Sequence, residues 1–103
     1  LALTVDVNYG TYGYKVRIVK VDFDDSYPTG GESLAPSTMG FVGVYAVFAE
    51  PKGGYVFEYD YDNEKLKAYY GNYDQGSDGA LTEVTNGADL SSVTGVRLVV
   101  FGY

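Results

Sequence analysis

The chain has 103 residues, no cysteine and no histidine, and 14 acidic against 7 basic side chains leave a formal net charge of −7. That length suits one domain burying roughly two thirds of its unfolded surface, with no need of a disulfide or a metal. Missing histidine removes the commonest general base, the usual zinc ligand and every Ser-His or Cys-His nucleophile pair, while the acidic balance is repelled by a duplex carrying one charge per ~1.7 Å and by an anionic leaflet.

In chain order, Leu3, Val5, Val7 and Tyr9 alternate with Thr4, Asp6 and Asn8, which predicts a strand solvated on one side. Gly10 to Gly13 then reads as a hairpin connection. The second strand, Tyr14 to Phe23, changes phase: Tyr14, Val16 and Ile18 share one parity, and Val19, Val21 and Phe23 the other. Such a shift predicts a bulge, or a strand changing sheets, near Ile18–Val19. Asp24 to Gly31 is a loop, and the acidic cluster Asp22, Asp24 and Asp25 beside it reads as protection against edge-to-edge pairing.

Pro36 suits the first position of a helical turn and Gly40 its end, so one short turn is expected near 36–39. Leu34, Met39 and Phe41 should plug the core beneath it. The nearly unbroken apolar run Val42–Glu50 reads as a central strand buried on both faces. After the Pro51–Gly54 turn, Tyr55, Phe57, Tyr59 and Tyr61 alternate with Val56, Glu58 and Asp60. Asp62-Asn63 marks a hairpin tip, and the return through Leu66, Ala68 and Tyr70 should set Lys65 and Lys67 beside Asp60 and Glu58.

A polar loop from Gly71 to Gly79, a short strand Leu81–Val84 and a turn-rich connector Asn86–Val93 lead to the apolar segment Thr94–Tyr103. A terminus is normally frayed unless it is stitched into a sheet, so the fold should close on this last strand. The sum is an all-β, antiparallel β-sandwich or jelly roll, one domain over 1–103, of about seven strands. No apolar run approaches the ~18 residues of a membrane helix, and the N-terminus lacks the pattern of a signal peptide.

Candidate chemistry is thin. Asp60, Asp62, Asn63 and Glu64 cluster oxygens as a calcium loop does, yet a hairpin tip calls for the same residues. Asp74 to Gly79 fills positions 1, 5 and 6 of a calcium-loop pattern but lacks an oxygen side chain at its third position and has Thr85 where the bidentate Glu belongs. Carboxylate pairs for glycoside hydrolysis are a further reading, set against a domain with little surface to spare for a substrate groove. We expect no catalysis, no metal and no cofactor.

Tyrosine is the feature that reads as functional. A core of this size cannot hide all 12, and tyrosine is enriched in interfaces because it covers much area and keeps a hydrogen-bonding tip; several can equally be rim residues. Contact surfaces are expected at the first strand and its hairpin (Leu1, Leu3, Val5, Tyr9, Tyr12) and at Tyr69, Tyr70 and Tyr73.

Three blocks occur in order: Asp25-Ser-Tyr-Pro-Thr-Gly-Gly-Glu-Ser-Leu-Ala-Pro36 with Met39-Gly40; Pro51-Lys-Gly-Gly-Tyr-Val-Phe-Glu-Tyr-Asp-Tyr-Asp-Asn-Glu-Lys-Leu-Lys-Ala-Tyr69; and Asn86-Gly-Ala-Asp-Leu-Ser-Ser-Val-Thr94 with Arg97 and the Phe-Gly-Tyr ending. Over about residues 20–103 this texture resembles small virion proteins of tailed bacteriophages, of the capsid decoration or cement type. The resemblance implies a β-sandwich or jelly-roll subunit, commonly a homotrimer, made in the bacterial cytoplasm. It would sit outside the shell over three-fold or quasi-three-fold junctions of the major capsid protein. No catalytic residue carries over, and an acidic surface suits the exterior better than the DNA-facing interior. The alternatives are a carbohydrate-binding module with tyrosine platforms and a tail or baseplate accessory. Neither nucleic acid nor membrane is an expected partner.

Overall fold

Alternation in the C-terminal segment organises the molecule. Val96, Leu98 and Val100 are completely buried while Arg97 and Val99 face out, so one side of this strand belongs to the core and the other to the surface. In the computed structural model the elements are β1 (Thr4–Tyr12), β2 (Tyr14–Asp22), β3 (Glu32–Ser33), a 3₁₀ turn (Pro36–Met39), β4 (Val44–Ala49), β5 (Val56–Asp60), β6 (Lys65–Tyr70), β7 (Thr82–Glu83) and β8 (Val96–Gly102). The structure describes residues 3–71 and 79–103 apart from 13, with the backbone alone over 6–12 and 14.

Two antiparallel sheets face each other as a sandwich. One has the order β1-β2-β8-β4; in the other, β5 pairs with one side of β6 while β3 and β7 pair with β6 as well. Val19 and Val21 of β2, the inner residues of β8, and Phe57, Tyr59, Leu66 and Ala68 of the second sheet meet in one core. Phe23 stacks on Phe57 at 5.2 Å between ring centroids. Each large apolar side chain buried this way contributes roughly 1.5–3 kcal/mol.

Several expectations are met residue by residue. The 3₁₀ turn has Pro36 at its start and ends on Gly40, whose φ of 84° is the left-handed conformation that favours glycine. Leu34, Met39 and Phe41 are all buried beneath it. Glu58 lies opposite Lys67 and Asp60 opposite Lys65 in the β5–β6 ladder. Asp60 also accepts the amides of Asp62 and Asn63, at 3.1 and 3.2 Å, and the Asn63 side-chain amide at 2.8 Å. The cluster read as a possible calcium loop therefore spends its first carboxylate on the turn. The second one, Asp74–Gly79, lies outside the described residues except for Gly79.

Three expectations are corrected. β2 runs in unbroken register with both β1 and β8, so no bulge or sheet change occurs at Ile18–Val19; the phase shift arises because both faces of β2 are apolar. Instead, the bulge is in β4, where the register with β8 slips between Val44 and Ala46. β4 is also an edge strand and not a central one, since β8 is its one neighbour in the sheet order. The eight strands among the described residues agree with the expected count of about seven, the added one being β3, which pairs briefly with β6. Finally, Asp22 and Asp24 tie loops together and do not blunt an edge, β2 being interior. Asp22 accepts the Gly95 amide at 2.7 Å, and Asp24 accepts the Ser26 amide at 3.0 Å.

Two polar side chains are built into the core. Tyr27, fully buried, donates its hydroxyl to Glu83 at 2.7 Å and accepts the Ala68 amide at 3.1 Å; burial, then Glu83, hold that hydroxyl above the ordinary tyrosine range. Glu32, 1% exposed, faces Asp24. Burial, followed by the charge of Asp24 and a hydrogen bond with it, pushes its carboxyl up to about 7. Glu32 is thus protonated in the fold at pH values where the unfolded chain has already released its proton.

Two tests follow from this packing. At Gly102 a Cβ would run into the Gly43 carbonyl oxygen and come within 2.7 Å of the Phe41 ring, because residues 41–43 cross directly over it. Gly102→Ala should therefore cost about 3 kcal/mol, read as a lower denaturation midpoint. For Glu32 the folded value lies above the unfolded one, so its contribution is complete below about 4.5 and is lost as pH rises through about 7. Wild type should lose stability between pH 5 and 8 relative to Glu32→Gln, by roughly 3 kcal/mol at most; parallel stability–pH curves for the two would refute this assignment.

Candidate protein-interaction surface

The outward faces of the two sheets have opposite characters. On the second sheet, Glu58, Asp60, Lys65 and Lys67 occupy the outer positions, as expected where one side of an antiparallel sheet meets water. Across β2, β8 and β4 the first sheet has an outer face that is mostly apolar. Its rungs can be read across the ladder: Lys20, Arg97 and Glu50 at one end; then Ile18, Val99 and Phe48; then Val16, Phe101 and Ala46; and last Tyr103 with Tyr45.

These side chains stand open to solvent: Tyr45 is 66% exposed, Phe48 62%, Tyr103 53%, Ile18 45% and Val99 37%. Each has a local cause. The bulge turns Tyr45 outward beside Ala46, and its ring lies 5.3 Å from that of Tyr103. Phe48 meets Phe101 edge-on at 6.3 Å. Val42, exposed beyond this end, is held by its amide on the Tyr103 carbonyl at 2.7 Å. At the opposite end, Glu50 accepts the Arg97 amide at 3.2 Å and stands 3.9 Å from its guanidinium.

At about 200 Å² per fully exposed aromatic side chain, with somewhat less for Ile and Val, this face offers on the order of 500–600 Å² of contiguous apolar surface, the upper end for a monomeric protein. The free edge of β4 beside it is blunted: the Val47 amide, turned away from β8, donates to the Tyr61 hydroxyl at 2.9 Å.

The residues expected from sequence to make contacts are distributed differently. Leu3 and Val5 are partly buried and pack against the core. Tyr9 and Tyr12 lie in β1, at the hairpin, with the backbone alone described; Leu1 and Tyr73 fall outside the described residues. Tyr69 is half-buried and donates to Glu58 at 3.1 Å, whereas Tyr70 is exposed. Sequence reasoning missed Tyr45, Phe48, Val99 and Tyr103. The apolar runs containing them were visible, but a run of that kind reads as core when its neighbours are unknown.

Grooves on the second sheet are shallow. One of about 510 Å³ is lined by Val56, Phe57, Glu58, Tyr69, Ala80 and Leu81, and its single carboxylate already accepts the Tyr69 hydroxyl. Among the described residues no three acidic side chains converge as metal ligands, and no helix is long and apolar enough to cross a membrane. No family model, curated protein or solved structure matches the chain.

Proposed function

We propose that this protein is a structural subunit that works by adhesion. In keeping with the resemblance of its sequence blocks, we read it as a decoration protein on the outer surface of a tailed-phage capsid. The observation that carries the adhesive part is the uncovered aromatic and aliphatic face formed by β2, β8 and β4, a contiguous patch at the upper end of the size range at which such patches are often functional. Its mechanism is avidity: several joined copies, each touching a different capsid subunit, hold far more tightly than one contact does, by 10²–10⁴ in favourable geometry. The virion role rests on the resemblance, supported by an acidic surface unsuited to lining a DNA-filled interior.

The exposed rings also suit sugar stacking, which keeps a carbohydrate-binding module as the second reading. Between those rings, however, lie Ile18, Val99, Val16 and Ala46, which supply no hydrogen bonds to sugar hydroxyls. A protein partner fits that strip better.

The β1–β2 hairpin tip and the Tyr69–Tyr70 end of β6 remain the candidates for the capsid-facing contacts. Deleting the first strand is a poor test, because Leu3 and Val5 support the core. Tyr12→Ser, at the hairpin end of β1, and Tyr70→Ser, which removes an exposed ring, keep the strand in place. Capsids stripped of the protein should take up the wild-type chain saturably in co-sedimentation, and the double variant should bind at least ten-fold more weakly. Absence of any wild-type uptake would refute the capsid assignment, and equal uptake of the variant would refute these contacts.

A further inference from the structure

We infer that the outer face of the β1-β2-β8-β4 sheet is covered by a second copy of this chain. The inference deepens the adhesive reading by naming the surface that joins the copies, and it rests on area and on charge.

Two such faces in contact bury about 1,000–1,200 Å², which passes the ~1,000 Å² expected of a specific interface before the polar rim is added. The composition also matches, since tyrosine and phenylalanine are the residues that dominate the centre of protein interfaces. Sheets pack at about 10 Å with their side chains interdigitated. Protruding Tyr45, Phe48 and Tyr103 beside the lower Ile18 and Val99 provide the ridges and hollows for that packing.

Charge selects the partner. Two chains of net charge −7 repel each other in most orientations. The charged residues along this face are Lys20 and Arg97 with Asp22 and Glu50, and the β1–β2 register sets Asp6 opposite Lys20. Glu58, Asp60, Asp62, Glu64 and Glu83 belong to the opposite sheet and its turn. Face-to-face contact therefore brings together faces of mixed and nearly balanced charge and leaves those acids on the far sides, more than the ~8 Å screening length apart.

The purified full chain provides the test, with no capsid present, so its outcome is separate from that of capsid binding. Sedimentation equilibrium between 1 and 100 μM should show a mass of two or more chains. Phe48→Ser combined with Val99→Thr should weaken association at least ten-fold, whereas Tyr70→Ser on the other sheet should leave it unchanged. Val99→Cys places a single thiol in a chain that has none, and mild oxidation should link it to a second copy, while Tyr70→Cys should stay unlinked. A wild-type chain that remains monomeric at 100 μM would overturn the inference. So would a Phe48/Val99 variant that assembles like wild type, or equal cross-linking from positions 99 and 70.

Discussion

The placement of β8 between β2 and β4 is the constraint on which the rest of the structure depends. Two of the three ladders of the first sheet, β2–β8 and β8–β4, run through it, and its inner residues Val96, Leu98 and Val100 form the floor of the core. Its partners lie far away in the chain: β2 precedes it by most of the sequence, and β4 is separated from it by the whole β5–β6 hairpin. Such non-local pairing incurs loop-closure entropy before its contacts form, which makes this a slow kind of topology to assemble. At the end of the strand the missing side chain of Gly102 lets residues 41–43 cross over the sheet. The amide of Tyr103 and the carbonyl of Gly43 then continue the ladder at 3.0 Å.

With β8 in place, the sandwich acquires two unlike outer surfaces. The β5–β6 side is an ordinary solvated face of paired acids and lysines, and such exposed pairs contribute little to stability. The β2–β8–β4 side exposes rings and branched aliphatics. Natural sheets commonly guard their edges against unwanted pairing, and here the Tyr61 hydroxyl occupies an edge amide of β4. Adhesion through a face, with that amide capped, favours one defined packing partner over open-ended strand addition. That distinction suits the proposed role of a structural subunit.

Tyrosine abundance turns out to have two explanations at once. Tyr27 and Tyr59 are core residues with satisfied hydroxyls; Tyr59 donates to the Leu34 carbonyl at 2.7 Å, and burial followed by the nearby Glu64 raises its titration to about 12. Tyr61 supports an edge. Tyr45 and Tyr103 form part of the apolar face, and Tyr70 stands exposed on the other sheet. Composition announces a surplus of amphipathic rings, but each ring's role follows from which side of which strand carries it.

Much of the local structure was legible from the residues alone. Period-2 alternation located most of the strands, Asp60 to Asn63 set the β5–β6 register, and Pro36 with Gly40 bracketed the helical turn, because each of these depends on chain geometry within a few residues. The candidate surface was not legible. Val42–Glu50 and Thr94–Tyr103 show that two sides of a strand are apolar, yet only the sheet order determines whether anything lies against each side. Tertiary structure placed β4 at an edge, put its bulge at Tyr45 and left the outer side of β8 bare. The physical reason is that hydrophobic pattern is a property of one strand, whereas burial is a property of the neighbours that the whole fold supplies.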